Sequence, residues 1–154
     1  MNTQADIHET WMHAALSQAR RAFDMGEVPV GAVVVREGVI IGRGANCREA
    51  TGDPTAHAEI IALRQAAREL GDWRLHGCAL YVTLEPCPMC AGAALAARIS
   101  RVIYGARDPR EGCCGSVYRL TEDPAFGHHA RATGGVLEAD CARLLRDFMA
   151  LRRT

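Results

Sequence analysis

Apolar side chains recur along the chain at helical spacing in some stretches and as short β-branched runs in others, and the two kinds of stretch alternate. Over residues 7–25, Ile7, Trp11, Ala14, Ala15, Ala19 and Phe23 fall at helical spacing among charged positions, the period of a helix with one buried face, and Gly26 ends it. Two runs rich in valine and isoleucine follow, at 28–35 and 39–43. The Arg36-Glu37-Gly38 between them predicts a tight turn, hence a hairpin. A second helical period extends to Leu70, with Thr55 as its expected N-cap and Gly71 as its stop. Residues 78–83 predict a short buried strand, Pro88 opens an alanine-rich helix reaching Arg98, and 99–104 predict another strand. From 105 to 132, glycine, proline, aspartate and arginine break every period except around 116–120, so a mobile functional loop is expected. Residues 135–137 predict a last short strand. A final helix over 140–153 places Cys141, Leu144, Leu145, Phe148 and Leu151 on one side.

Strands alternating with helices in this order predict an α/β fold, a three-layer α/β/α sandwich on a five-stranded mixed sheet that opens with an antiparallel hairpin. A length of 154 residues fits one domain with one sizeable core, and the chain shows no repeats or linkers. In such sheets ligands gather near strand C-terminal ends and helix N-termini.

Composition narrows the functional classes. The 49% hydrophobic and 23% charged content is that of a globular protein. Eighteen Lys+Arg balance eighteen Asp+Glu, which excludes a bulk field that draws a polyanion, so any RNA contact must be local. The balance leans basic toward the C-terminus. The longest apolar runs fall well short of the ~20 residues that cross a bilayer. Residues 1–15 lack the basic start and apolar core of an export signal, so no membrane association and a cytoplasmic location are expected. Seven cysteines, an odd number, fit reduced thiols or metal ligation better than a disulfide framework. Of these, Cys47, Cys78, Cys113, Cys114 and Cys141 read as small packing residues, and His8, His13 and His76 lie outside any motif.

Two short motifs carry chemistry. His57-Ala58-Glu59 opens one predicted helix and Pro86-Cys87-Pro88-Met89-Cys90 opens the next. One imidazole and two thiolates suit tetrahedral zinc, and a set of three ligands leaves the fourth position for water, as catalytic zinc sites do. Two cysteines three residues apart in a first helical turn can face one point, and the positive helix end favours their thiolate forms. Hydrolysis of an amidine also needs protons delivered to ring and leaving group, and Glu59 is placed to carry them. The pair of motifs matches the H-x-E and P-C-x-x-C signature of zinc deaminases acting on cytosine or adenine. The competing readings are a closed structural zinc site and a Cys-X-X-Cys redox pair, which leave Glu59 and His57, respectively, without a role.

With those residues in place, the chain resembles the bacterial tRNA-specific adenosine deaminases of the cytidine deaminase-like superfamily over residues 11–153. The blocks that carry the resemblance are Glu27-Val28-Pro29-Val30-Gly31-Ala32, Asp53-Pro54-Thr55-Ala56-His57-Ala58-Glu59-Ile60, Thr83-Leu84-Glu85-Pro86-Cys87 and Gly105-Ala106-Arg107-Asp108. It implies a zinc-dependent hydrolase holding one zinc per subunit on His57, Cys87 and Cys90. The implied reaction is deamination of the wobble adenosine of a tRNA anticodon stem-loop, of arginine tRNA, to inosine. Glu59 is then the catalytic residue, moving a proton from water to adenine N1 and later to departing ammonia. Asn46 matches an asparagine that hydrogen-bonds the flipped base, and Val30 and Leu84 match apolar positions beside it. Asp108 matches an acid near the sugar, with a turn cap as its alternative. Phe148 matches an aromatic that touches RNA, with core packing as its alternative. The family also implies a homodimer. The late loop departs from the pattern, since Phe126-Gly127-His128-His129-Ala130 keeps a histidine but replaces the family's asparagine and arginine. Two further readings stay open on the residues alone: a deaminase of the same fold acting on a free base, nucleoside or nucleotide of the guanine or cytosine type, and a non-catalytic zinc-stabilised RNA-binding module.

Overall fold

The computed structural model describes residues 3–152. Its elements are α1 (Gln4–Asp24), β1 (Gly31–Arg36), β2 (Val39–Ala45), α2 (Arg48–Thr51), α3 (Ala58–Leu70), β3 (Cys78–Leu84), α4 (Pro88–Ala96), β4 (Arg101–Ala106), β5 (Arg131–Thr133) and α5 (Glu138–Arg152), with a 3₁₀ turn at Leu120–Glu122. The five strands form one sheet in the order β2-β1-β3-β4-β5. Strand β1 runs antiparallel to both β2 and β3, whereas β3, β4 and β5 are mutually parallel. The expected mixed sheet and hairpin are therefore present.

Side-chain alternation along the central strands sorts residues into two cores. Val34, Leu80, Val82, Val102 and Tyr104 pack with Ala62, Leu63 and Ala66 of α3 and Ala91 and Ala94 of α4. Their neighbours Val33, Tyr81 and Ile103 point the other way, onto Met12, Ala15 and Leu16 of α1 and Cys141 of α5. The polar tip of buried Tyr81 is matched by His8 of α1, whose Nδ1 lies 2.8 Å from the phenol oxygen.

Helix α3 rides directly on the sheet because β2 offers glycine where the two meet. A β-carbon at Gly44 falls 2.1 Å from the Ala58 carbonyl oxygen, and one at Gly42 falls 2.2 Å from that of Ala62. Only hydrogen at these positions permits the approach, and the approach fixes where the first turn of α3 lies.

Several boundaries differ from the sequence expectation, each for a local reason. Helix α1 starts earlier because Thr3 and Asp6 form a reciprocal capping box, with both hydrogen bonds at 3.1 Å. Thr55 is not the cap of α3. Its N–H and hydroxyl both donate to Asp53, at 2.8 and 2.7 Å, making a turn, and the N-cap is His57. The last strand is Arg131–Thr133 rather than 135–137, since Gly135 and Leu137 have φ of 88° and 52°, outside the strand region. Helix α4 ends at Ala96, two residues short of Arg98, which is left-handed at φ 62°. The short helix α2 carries too few residues to register as a period. Along α5, Cys141 and Phe148 are buried and Leu144 and Leu145 partly so, but Leu151 faces outward at 64% exposure. Residue 153 of the expected helix lies outside the described residues. Among the described residues no helix is long and apolar enough to cross a membrane.

Gly44→Ala forces a methyl into a backbone oxygen and is expected to cost about 1–3 kcal/mol or more of stability, measured by urea unfolding. Gly26→Ala, where a β-carbon meets nothing within 4 Å but φ is 77°, serves as the control for backbone strain without overpacking.

Candidate metal centre and active-site pocket

His57 and Cys87 occupy the same position in two different helices. Each is an N-cap with extended backbone, His57 at φ −74°, ψ 152° before α3 and Cys87 at φ −73°, ψ 174° before α4, and neither uses its side chain to cap its own helix. Both side chains turn instead to a common point. Pro88 at the first position of α4 presets the helical φ there and gives up an N–H that a first turn leaves unpaired anyway. One turn on, Cys90 reaches the same point from below, fully buried. The His57 Nδ1 lies 3.7 Å from Cys87 Sγ and 3.5 Å from Cys90 Sγ, and the three donor atoms lie within 4.8 Å of one another. A soft N/S₂ donor set at these separations fits one zinc ion with a fourth position open. All seven cysteines are free, so neither thiol is committed to a disulfide.

The titratable groups of the cluster are shifted by contact with one another and by burial. Hydrogen bonding from Cys90, against the penalty of burial and aided by His57, lowers the Cys87 thiol to about 4. The Cys90 thiol moves strongly upward, because it is the partner that keeps its proton beside the Cys87 thiolate, because it is buried, and because Glu59 is near. His57 is raised, chiefly by its hydrogen bond to Cys87. Glu59, in the first turn of α3 and only 4% exposed, is raised to about 7 by burial, with the Cys87 thiolate adding to the rise and His57 opposing it. A carboxyl poised near neutrality can both hold and release a proton at working pH.

The cluster opens into a pocket. Val28, Val30, Ala58 and Leu84 give it apolar walls, and Asn46, Arg48, Glu59, Glu85, Asp108 and Glu111 bring polar groups to it. Asn46 is held by its own N–H to the Val30 carbonyl at 3.0 Å and by its Nδ2 to the Val28 carbonyl at 3.1 Å. Its buried Oδ1 has no partner among the described residues. An orphan acceptor in a pocket calls for a donor on the ligand.

Of the residues singled out from sequence, His57, Cys87, Cys90, Glu59, Asn46, Val30, Leu84 and Asp108 are brought to this one place. Asp108 lines the pocket and also caps its own turn, its Oδ1 accepting from the N–H groups of Arg110 and Glu111 at 3.0 and 3.2 Å. Phe148 lies outside the pocket lining. Its ring is buried edge-on against Phe23 of α1 at 5.7 Å, under the Arg152 guanidinium. His128 and His129 donate to or accept from nothing in the pocket; their Nε2 atoms contact the carbonyls of Ile99 and Asp123.

Sequence reasoning passed over two buried acids. Glu27 accepts from the N–H groups of Glu49 and Ala50 at 3.0 and 2.7 Å, so it holds the start of α2 beside Asn46. Glu85 does the same for the segment carrying Asp108. Burial opposes its charge, but hydrogen bonds from Ser116, Asp108 and Cys114 prevail and hold its carboxyl below the usual range. The stretch after β4, expected from its composition to be a mobile loop, is irregular but hydrogen-bonded to this carboxylate. An acid inside a largely apolar block was the available signal.

The cytidine and deoxycytidylate deaminase zinc-binding region, as a family model, matches residues 5–106, from α1 through both metal motifs to the end of β4. The chain belongs to this zinc-binding deaminase family. It is 46% identical over 140 residues to a tRNA-specific adenosine deaminase of Bacillus subtilis, covering 91% of this chain and 87% of the relative. A solved structure from studies of A-to-I editing by tRNA:A34 deaminases at the wobble position of transfer RNA superposes with a TM-score of 0.85 at 45% identity, over 88% of this chain and 99% of that one. The guanine deaminase of Bacillus subtilis superposes less completely, with a TM-score of 0.63 at 43% identity over 70% of this chain and 66% of that one. The cytidine deaminase-like fold and the zinc-dependent deaminase class are therefore those of this deaminase.

Zinc uptake by the metal-free deaminase at neutral pH is expected to release at least one proton, from Cys90 or from the His57–Cys87 pair, and zinc affinity should fall as pH falls. Calorimetric titration with zinc in two buffers of different ionisation enthalpy measures the number, and a value of zero contradicts thiolate ligation.

Proposed function

We propose that this chain is a hydrolytic deaminase that converts the wobble adenosine of a tRNA anticodon stem-loop, that of arginine tRNA, to inosine. The observation that carries the chemistry is the convergence of His57, Cys87 and Cys90 beside a buried Glu59 at the floor of a pocket. Zinc, when bound by those three side chains, supplies the Lewis acid that makes water a nucleophile near neutral pH.

The remaining work falls to the chain's own groups. Water adds at C6 of adenine and ammonia leaves, so one proton must go to ring N1 and one to the departing nitrogen. Glu59 takes one proton from the attacking water and delivers it to N1, then takes the proton of the new C6 hydroxyl and passes it to the amino group, which leaves as ammonia as the C6 carbonyl forms. Its burial keeps bulk water from competing for that proton. Val30 and Leu84 pack against the faces of the flipped base, and the free Oδ1 of Asn46 accepts from a donor on the nucleotide. Asp108 and Glu111 stand at the other wall, where the sugar would pass.

The substrate assignment rests on the B. subtilis tRNA-specific adenosine deaminase and on the tRNA:A34 deaminase structure, each matching nearly the whole chain. The guanine deaminase likeness, over a smaller share, supports a second reading in which a free purine is deaminated. A substrate panel of arginine-tRNA hairpins, guanine, adenosine and cytidine, read by nucleoside mass spectrometry, separates the two. Inosine in the hairpin is expected, and activity confined to small molecules favours the second.

Glu59→Ala is expected to retain zinc and lose about 10²–10⁴-fold in turnover, the usual contribution of a positioned acid–base group. Metal analysis alongside the rate makes the comparison, and an unchanged rate rejects the assignment.

The family resemblance implies a homodimer, and the surface that suits a second copy is the apolar one where Ile60, Leu63 and Ala67 of α3 meet Ala93 and Ala97 beside Trp73. Trp73 is 52% exposed there. A copy seated on it abuts the two helices whose first turns form the metal site. Sedimentation at micromolar concentration is expected to give twice the monomer mass, and Ala93→Arg to give the monomer. Seven free thiols and a tRNA substrate fit the cytoplasm.

A further inference from the structure

The segment from Asp108 to Arg119 forms one wall of the pocket but has almost no regular structure. Its internal hydrogen bonds are local: Gly112 N–H to Asp108, Val117 and Tyr118 N–H to Gly112, Gly115 N–H to Tyr118. Three groups tie it to the rest of the described residues by hydrogen bonds spanning ten residues or more. Two are the Pro86 carbonyl, which accepts from Cys113 at 2.8 Å, and the Tyr104 hydroxyl, which donates to the Cys114 carbonyl at 3.5 Å.

The third is the Glu85 carboxylate, and it makes most of the contacts. Its Oε1 accepts from the Asp108 N–H at 3.1 Å and the Ser116 hydroxyl at 2.5 Å, and its Oε2 from the N–H groups of Cys114 at 3.1 Å and Ser116 at 2.9 Å. Four donors satisfy a side chain that is 2% exposed, which is what burying a carboxylate requires. The segment folds around the group so closely that a β-carbon at Gly112 falls 2.3 Å from the Glu85 carboxyl carbon. Glu85 also stands between Leu84, which lines the pocket, and Pro86-Cys87, which leads into the metal cluster. One short stretch of backbone therefore carries the base wall, the clamp and a metal-cluster thiol.

We propose that Glu85 is a positioning residue for substrate binding: it fixes the Asp108–Glu111 wall at a set distance from the metal cluster, so that the pocket is shaped before the nucleotide arrives. The proposal rests on the functional reading above. Losing the clamp lets the wall move without disturbing His57, Cys87, Cys90 or Glu59, so binding suffers and the chemical step is spared.

Glu85→Gln replaces one acceptor oxygen by an amide that turns its own N–H toward N–H donors. Ser116→Ala removes a single bond to Oε1 and is the milder variant that folds if the first does not. Kinetics on an arginine-tRNA hairpin, zinc content and amide hydrogen exchange are measured on the zinc-loaded wild type and both variants. The expected result is a rise in KM of about tenfold for Glu85→Gln and about two- to fivefold for Ser116→Ala, with kcat within about threefold. Zinc content should be unchanged, and amides of residues 108–116 should lose protection in the same order. A fall in kcat at constant KM, loss of zinc in Ser116→Ala, or wild-type KM with wild-type protection in a folded Glu85→Gln protein overturns it. A wild-type protein that leaves the hairpin unconverted defeats the functional reading instead. The clamp is then judged on exchange alone, where undiminished protection in the variants rejects it.

Discussion

The structure depends on bringing the starts of two helices to one point at the edge of a sheet. Helix α3 must lie flush on β2 for His57 to reach the cluster, and the close contact of Gly44 with the Ala58 carbonyl permits it. Helix α4 must begin where β3 ends, and Pro86 and Pro88 bracket Cys87 at that turn. Because β1, β3 and β4 hold the register between these elements, a displacement of either helix by the width of a methyl group separates donor atoms that now lie within 4.8 Å. The packing of the core and the geometry of the cluster are one constraint seen at two places.

Convergence creates an electrostatic problem that the same arrangement relieves. Two thiols and a buried carboxyl share a small volume, so Cys90 and Glu59 hold their protons more tightly than free groups while Cys87 gives its up. Both helices point their positive ends at the cluster, and neither spends its N-cap side chain on capping. A dication held by one imidazole and two thiolates is the charge that such a donor set balances.

The pocket beyond the cluster is built by a different device. Its two walls, Asn46 and the following α2 with Arg48 on one side and the irregular Asp108 segment on the other, are each hung on a buried glutamate whose oxygens collect backbone N–H groups. The family model that matches this chain ends at residue 106, just short of the second wall. The metal motifs, the Asn46 wall and the Glu85 clamp thus lie inside the matched region, and Asp108 and Glu111 of the second wall lie just beyond it.

The sequence by itself determined the order of the long helices and the first four strands, the hairpin, the two metal motifs and the placement of Glu59, because periodicity and local turn chemistry act over a few residues. Spacing alone put Cys87 and Cys90 on one face of a helix. It did not place the ends of elements governed by reciprocal side-chain bonds, such as the Thr3–Asp6 box or the Asp53–Thr55 turn, nor the last strand, whose neighbours adopt positive φ. Only the tertiary structure decided that Phe148 turns into the α1–α5 packing, that Asn46 keeps an unpaired acceptor in the pocket, and that Glu27 and Glu85 are buried supports rather than surface charges. Those outcomes depend on partners far along the chain, such as Val28 for Asn46, Ser116 for Glu85 and Phe23 for Phe148, and no local pattern records which distant N–H a carboxylate will meet.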